Sequence, residues 1–573
     1  MKKTLKKLIA MTCALTCVGS TLAGCADAFK TSTLDIDEKR TQLYVGNYDG
    51  GMGSRWLDEY KKGFEAMYKD VSFEEGKVGV QLIPLSDKTT YEASTLETSM
   101  DRSKVNVFFT ERMDYYKFKN AGLLLDISDV VTAEIPTKVS YTGTTGGVKV
   151  EETEGKTIES KLTETQKAYY SLDGKYYGLP HYRALRGIVY DKGLFNKESL
   201  YITKSIVDGE KLTLEGKAGD SNLSKGPDGE AGTYDDGLPA TYDEFFEWCA
   251  KVDDRVTPII WNGEHYPSYT GHVLDALFAD AAGFEDASAY YNVPTSPKEV
   301  MVVTGFEGKQ PVTDKVEVWR GDKDKGIDGN FKKLEQLAGN YYSLDFMDRL
   351  IKGQYYYKDS FTSGHSHEEA HYDFLNSSFN KSEYDNKPIA MMVEGTWWEE
   401  EANPTFEEMV NTYGSEASRS ERQFGFLPLP KPTEEYLGAP TLFDGNRAIL
   451  VANANCNEVQ ADLAKKFIQY VSTDASLQLF NTITNIGRDY QYTLTETQQT
   501  QLTTFGQDIY DLVQSSTGIV YGYPTTLDAY NWSSINKINR VESSSKIGST
   551  PAATFKNNSN VTAKEYFEGI MNK

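Results

Sequence analysis

Adjacent tryptophans, Trp397 and Trp398, run directly into three acids, Glu399, Glu400 and Glu401. Elsewhere a carboxylate and a guanidinium are neighbours at Glu111 and Arg112, Asp49 stands in a Gly-rich turn, and Trp261, Tyr269, Tyr530 and Trp532 lie in aromatic-rich stretches. Aromatic faces stack on apolar C–H surfaces, and planar carboxylate and guanidinium groups form paired hydrogen bonds. Both are what a polyhydroxylated ligand such as a sugar requires. Tyr outnumbers Phe, 38 to 26, and a ring with a hydrogen-bonding tip suits such amphipathic ligands.

Two further groupings could hold metal. His365, His367 and His371 are half of the six histidines, and imidazoles at such spacings bind zinc or another transition metal when Glu or Asp completes the shell. A solvated loop or a polar part of a cleft is the alternative. Asp228, Asp235 and Asp236 sit on a Gly-rich loop, as carboxylates around calcium do, although the spacing departs from the EF-hand pattern. A structural calcium is the expectation there, and no other cofactor is required. The acids Glu399 to Glu401 raise a catalytic alternative, a glycoside hydrolase or lyase, whose two carboxyls must face each other at about 5 to 9.5 Å. Neither a GxSxG elbow nor a P-loop occurs.

Elements must position these groups. Leu43 to Val45, Val78 to Leu82 and Val105 to Phe109 read as strands, while Trp56, Leu57, Tyr60, Phe64, Met67 and Tyr68 recur at helical spacing. This alternation predicts an α/β domain with a mainly parallel sheet, whose ligands lie beyond the strands' carboxyl ends. Asp49 and Thr110 to Arg112 fall there. Thr241 to Glu244 spells a capping box ahead of a core stripe at Phe245, Trp248, Cys249 and Val252, and Leu463, Phe467, Tyr470 and Val471 form a similar stripe. Gly209 to Gly237 is rich in Gly and Asp and reads as a long insertion or loop.

Lys2, Lys3, Lys6 and Lys7, an apolar stretch from Leu8 to Val18, and Leu22-Ala23-Gly24-Cys25 follow the order of a secretory leader. The stretch is too short for a membrane span, which needs about 20 residues. Leu22 to Cys25 resembles the bacterial lipobox, which implies cleavage after residue 24 and lipid on Cys25. Residues 25–40 read as a tether holding the protein to the outer face of a membrane. The rest of the 573-residue chain is long enough for two or three domains. The whole chain's net charge of −24, which becomes −28 without the leader's four lysines, repels phosphate backbones, so nucleic acid is a poor partner. Apart from Cys25, the cysteines beyond the leader are Cys249 and Cys456, and the apolar stripe around Cys249 favours a buried free thiol over a bridge.

Several segments, in order, resemble the family 1 extracellular solute-binding proteins of ABC importers, the group of the maltose/maltodextrin-binding protein. They are Val107 to Arg112 with Gly122-Leu123-Leu124, Gly174 to Pro180 with Ile188 to Lys192, Pro388 to Trp398, Phe424 to Pro430, and Ala464 to Ile468. The resemblance spans roughly residues 41 to 540, with insertions around 200 to 236 and 300 to 385. It implies an α/β fold of two discontinuous lobes joined by a hinge, lobe one being 41–185 plus 441–488 and lobe two 186–440 plus 489–573. It also implies roles. Trp397 matches a tryptophan that stacks on sugar, Trp398 beside it being the alternative; Glu111 and Arg112 match a pair that grips hydroxyls; Asp49 matches an acid of the first loop. Tyr530 and Trp532 lie nearest to a family aromatic late in lobe two, and Trp261 and Tyr269 are further cleft candidates. The expected protein is a lipid-anchored monomer that performs no chemistry, captures an oligosaccharide by hinge closure and passes it to an ABC permease.

Overall fold

The computed structural model describes residues 35–87, 89–322, 327–522 and 550–571. The expected leader, Cys25, most of the tether, Tyr530 and Trp532 lie outside the described residues.

The expected first strands and helix form, each a little longer or shifted. Thr41–Tyr48 pairs in parallel with Val80–Asp87 on one side and Val107–Thr110 on the other. Two antiparallel strands, Ile449–Ala452 and Gly178–Pro180, complete a five-stranded sheet. Val107–Thr110 is buried along its whole length, as a central strand covered on both faces must be. The helix Arg55–Met67 turns Trp56, Leu57, Tyr60 and Phe64 inward, and Glu458–Val471 meets it, with Phe64 and Phe467 at a centroid distance of 5.2 Å. Apolar burial at about 25 cal/mol per Å² is the force that holds this layer.

A second, four-stranded sheet has the order Thr257–Ile260, Ile389–Gly395, Arg186–Asp191, Phe424–Phe426. Its helix Tyr242–Val252 buries Phe245, Trp248, Cys249 and Val252 completely. Only half of the predicted capping box forms. The Thr241 hydroxyl accepts the Glu244 N–H at 3.3 Å, but the Glu244 carboxylate accepts from Ser205, Ile206 and Ala240 instead of returning to Thr241. Its charge therefore secures a neighbouring loop. Part of the region expected as an insertion at 300 to 385 also proves to be core: Ala338–Lys352 packs on Tyr266–Tyr291 and on the C-terminal helices Pro551–Asn557 and Ala563–Met571, burying Phe346, Met347 and Leu350 completely.

The fold is the expected two-lobed α/β arrangement with each lobe discontinuous. The chain passes from the first sheet to the second between Pro180 and Arg186, and returns between Phe426 and Ile449. It crosses again between Asp474–Thr484, against the first lobe's helices, and Thr504–Ser515, against Phe424–Phe426. These crossings are stitched together. Asp444 accepts the Ala184 N–H at 2.9 Å, Arg183 pairs with Asp489 at 3.3 Å, and the buried Arg488 donates to the carbonyls of Pro180, His181 and Val471. Among the described residues no helix is long and apolar enough to cross a membrane.

Candidate functional site

Two strands of the first sheet end on the predicted acids. Thr41–Tyr48 runs into Asp49, which is half-buried and whose N–H donates to the Asp87 carbonyl at 3.3 Å, seating the turn over the neighbouring strand. Val107–Thr110 runs into Glu111 and Arg112. Arg112 takes a left-handed φ of 55° and its N–H donates to the Asn446 carbonyl at 2.9 Å, so the return crossing fixes this turn. Such conformations persist where surrounding contacts over-determine them. The two side chains then diverge. Glu111 is buried and accepts the Tyr182 hydroxyl, whereas Arg112 is exposed. Burial raises the Glu111 pKa, and the Arg112 and Arg186 charges and the Tyr182 hydrogen bond oppose it.

The facing wall belongs to the second lobe. Arg186 opens a strand of its sheet and donates to Asp275 at 2.6 Å, and to the Gly445 carbonyl and Asn446 side chain, each at 3.2 Å. A Cβ at Gly445 would lie 2.3 Å from the guanidinium, so any larger residue there would have to displace the cation. His272, on the helix Tyr266–Tyr291, is held well below the ordinary histidine pKa by burial and then by Arg186 and Arg112, and is a neutral imidazole. Its ring lies 5.3 Å from Tyr269 and 6.0 Å from Trp397, edge-on to the latter at 89°. Trp397, just past a strand of the second lobe, is 7% exposed and packs with the first lobe's core. A Cβ at Gly395 would lie 2.2 Å from its ring, and one at Gly51 of the first lobe 3.3 Å from it, so two glycines clear the indole's place. Tyr48 feels Glu111, Arg112 and Glu401.

Flat rings thus stand beside planar charged groups at a seam between lobes, an arrangement for gripping a ligand. Residues 64–487 match the bacterial extracellular solute-binding protein family. The chain belongs to that family. No curated protein sequence matches it. A chitin oligosaccharide binding protein is similar in structure over 93% of this chain and 98% of its own, at 14% identity and a TM-score of 0.50. The raffinose complex of SBP RafE is similar over 92% and 99% at 12% identity and 0.48. Maltose-bound T. maritima MalE3 covers 92% and 99% at 14% and 0.48.

In this solute-binding protein the structure brings together Glu111, Arg112, Tyr269 and Trp397, leaves Asp49 at the end of the strand neighbouring the one that leads into Glu111, and separates the other described candidates from them. Trp398 is fully buried among Phe374, Phe406, Phe424 and Phe505, so it is core and not a cleft platform. Trp261 is likewise fully buried, against Tyr356 and Phe361. The acid run is also spent on structure: Glu399 pairs with Arg419, and Glu400 with Arg419 and Arg55, which leaves this run no exposed catalytic pair. In the loop expected to hold calcium, Asp235 accepts the Asp228 N–H at 2.9 Å and the Thr233 hydroxyl at 2.7 Å, while Asp236 accepts the Gly232 N–H at 2.7 Å. These carboxylates brace their own turn. Burial pushes Asp235 up to about 6.

Sequence reasoning missed Arg186, His272, Asp275 and Asn446, because the first and last belong to crossing segments whose meeting no local pattern announces. It also passed over a signal that was present. His367-Glu368-Glu369-Ala370-His371 has the H-E-x-x-H spacing of a metal-binding helix. Among the described residues, His371, Glu394 and Glu401 are the group of three able to place one ligand atom each within 4.8 Å of the others.

Proposed function

We propose that this protein is the carbohydrate receptor of an ABC importer, lipid-anchored through Cys25, that takes an oligosaccharide between its lobes by hinge closure. One observation carries the reading: Trp397, which follows a strand of the second lobe yet packs with the first lobe's core at only 7% exposure, meets His272, on which the Arg186 and Arg112 charges act. A sugar ring needs an aromatic face for its C–H groups and paired acceptors and donors for its hydroxyls. The proposal extends to this chain the ligand class named in the description of the similar chitin oligosaccharide binding protein. Closure draws its energy from a ligand that touches both lobes, since only differential contact shifts such an equilibrium. Tethering through Cys25 would keep the receptor at high effective concentration beside its permease. Isothermal titration against a panel of oligosaccharides tests the reading. Saturable heat with an intact sugar is expected; no heat with any sugar, or release of cleaved product, would overturn it.

A further inference from the structure

Behind Trp397 lies a cluster that sugar binding does not use. The helix His367–Ser377 carries His367 and His371 one turn apart, on one face. The His371 Nε2 lies 3.2 Å from the Glu394 Oε1, with both side chains only 1% exposed. Glu394 is the penultimate residue of the strand Ile389–Gly395; its other oxygen accepts the Gly395 N–H at 3.0 Å, and the Tyr269 hydroxyl also bonds to it. His367 Nε2 is 3.8 Å from the Glu401 Oε1, and the two imidazoles are 5.8 Å apart at 80°. A helix, a strand and the turn after Trp397 thus bring one imidazole nitrogen, from His371, together with two carboxylates, and His367 stands beside Glu401.

We propose that His371, Glu394 and Glu401, with His367 on the open side, bind a zinc-class divalent cation in the wall of lobe two. The donor set is the mixed imidazole and carboxylate shell that zinc accepts. One atom each of His371, Glu394 and Glu401 already lies within 4.8 Å of the others. Metal–ligand bonds of about 2.0 to 2.2 Å put tetrahedral ligand atoms about 3.4 Å apart, so the shell closes by an inward shift of about 1 Å. Second-shell support is in place, since the Gly395 N–H and the Tyr269 hydroxyl orient Glu394. Glu368 fills the position that serves as base in hydrolases with this spacing, but it is 65% exposed and pairs with His367 itself at 3.2 Å. The cluster therefore binds metal without a base aimed at a metal-bound water. Glu401 also acts electrostatically on Tyr48 across the cleft and on Tyr269, so a bound cation would change the charge of the cleft wall.

The inference stands apart from the sugar reading, and its test uses no sugar. The untagged chain is dialysed to equilibrium against zinc chloride, and metal per chain is counted by atomic emission. One zinc per chain is expected, held at least about 10-fold more weakly by Glu401→Gln and by His367→Gln. These side chains are 15% and 28% exposed, so both variants are expected to fold, which circular dichroism checks. Zinc should also raise the melting temperature of the parent chain and not that of either variant. Absence of retained zinc, or equal retention by parent and both variants, overturns the site.

Discussion

Trp397 and Trp398 are consecutive in the chain and opposite in role. Trp398 is sealed in lobe two, with Phe424 at a centroid distance of 5.0 Å and Phe505 at 5.7 Å. Trp397 lies back on Gly395 and across to Gly51 of the other lobe. One ring holds a lobe together; the other stands where two lobes meet. The same contrast runs through the acids, because Glu399 is enclosed with Arg419 while Glu400 reaches across to the exposed Arg55. Lobe interiors are built to stay shut. The seam is built from contacts that can part.

Truncation should separate the two rings most sharply. Trp398→Ala removes a fully buried indole and should cost about 3 to 5 kcal/mol in denaturant-induced unfolding. A loss under about 1 kcal/mol would mean that the ring is not core. The next effect is a pH dependence at the crossings. Burial, and then the Asp489 carboxylate, push Asp444 up to about 7 from an ordinary value of 3.8. Between those values the folded state keeps a proton that the unfolded chain has lost, so this group lowers stability as pH rises from about 4 to about 7. Its contribution is absent below that window and constant above it. Asp444→Asn should flatten the fall by a slope approaching about 1 kcal/mol per pH unit, measured by chemical unfolding at a series of pH values. Parallel profiles for parent and variant would remove Asp444 from the account.

How much of this was legible beforehand follows the same division. The first lobe's strands and the stripe from Trp56 to Phe64 declared themselves because local periodicity reports burial directly. The order of motifs gave the family and the discontinuous lobes. Which tryptophan faces the seam was not legible, since a single residue's step around the turn reverses its direction and both types look alike in sequence. Arg186 was hidden for another reason: its partners Asp275 and Asn446 come from a distant helix and a return crossing. Glu244 looked like half of a capping box and serves a loop, because Ser205 and Ile206 compete for the same carboxylate.

At the seam the effect should appear in binding more than in stability. Trp397→Ala is expected to weaken oligosaccharide affinity by about 1 to 3 kcal/mol in calorimetric titration, the range of an anchoring aromatic. Trp397→Phe should recover part of the loss, because a smaller flat face remains. Affinity unchanged in the alanine variant would place Trp397 with Trp398, as packing alone.

The smallest effect belongs to Arg55. Its guanidinium meets Glu400 at 2.8 Å, yet the Arg55 side chain is 60% exposed, and an ion pair so open to water contributes under about 1 kcal/mol. Glu400 keeps Arg419 on the same Oε1, so Arg55→Ala leaves no buried charge without a partner. Unfolding should therefore change little. Arg55 lies in the first lobe and Glu400 in the second, so the pair exists only while this side of the seam is closed. Losing it should favour the open arrangement and weaken ligand binding by a factor of a few, more at low salt than at high, since screening already removes most of the pair's attraction at high ionic strength. Stopped-flow binding at two salt concentrations reads both effects. A salt dependence identical to that of the parent would show that Arg55 spans no contact that closure makes.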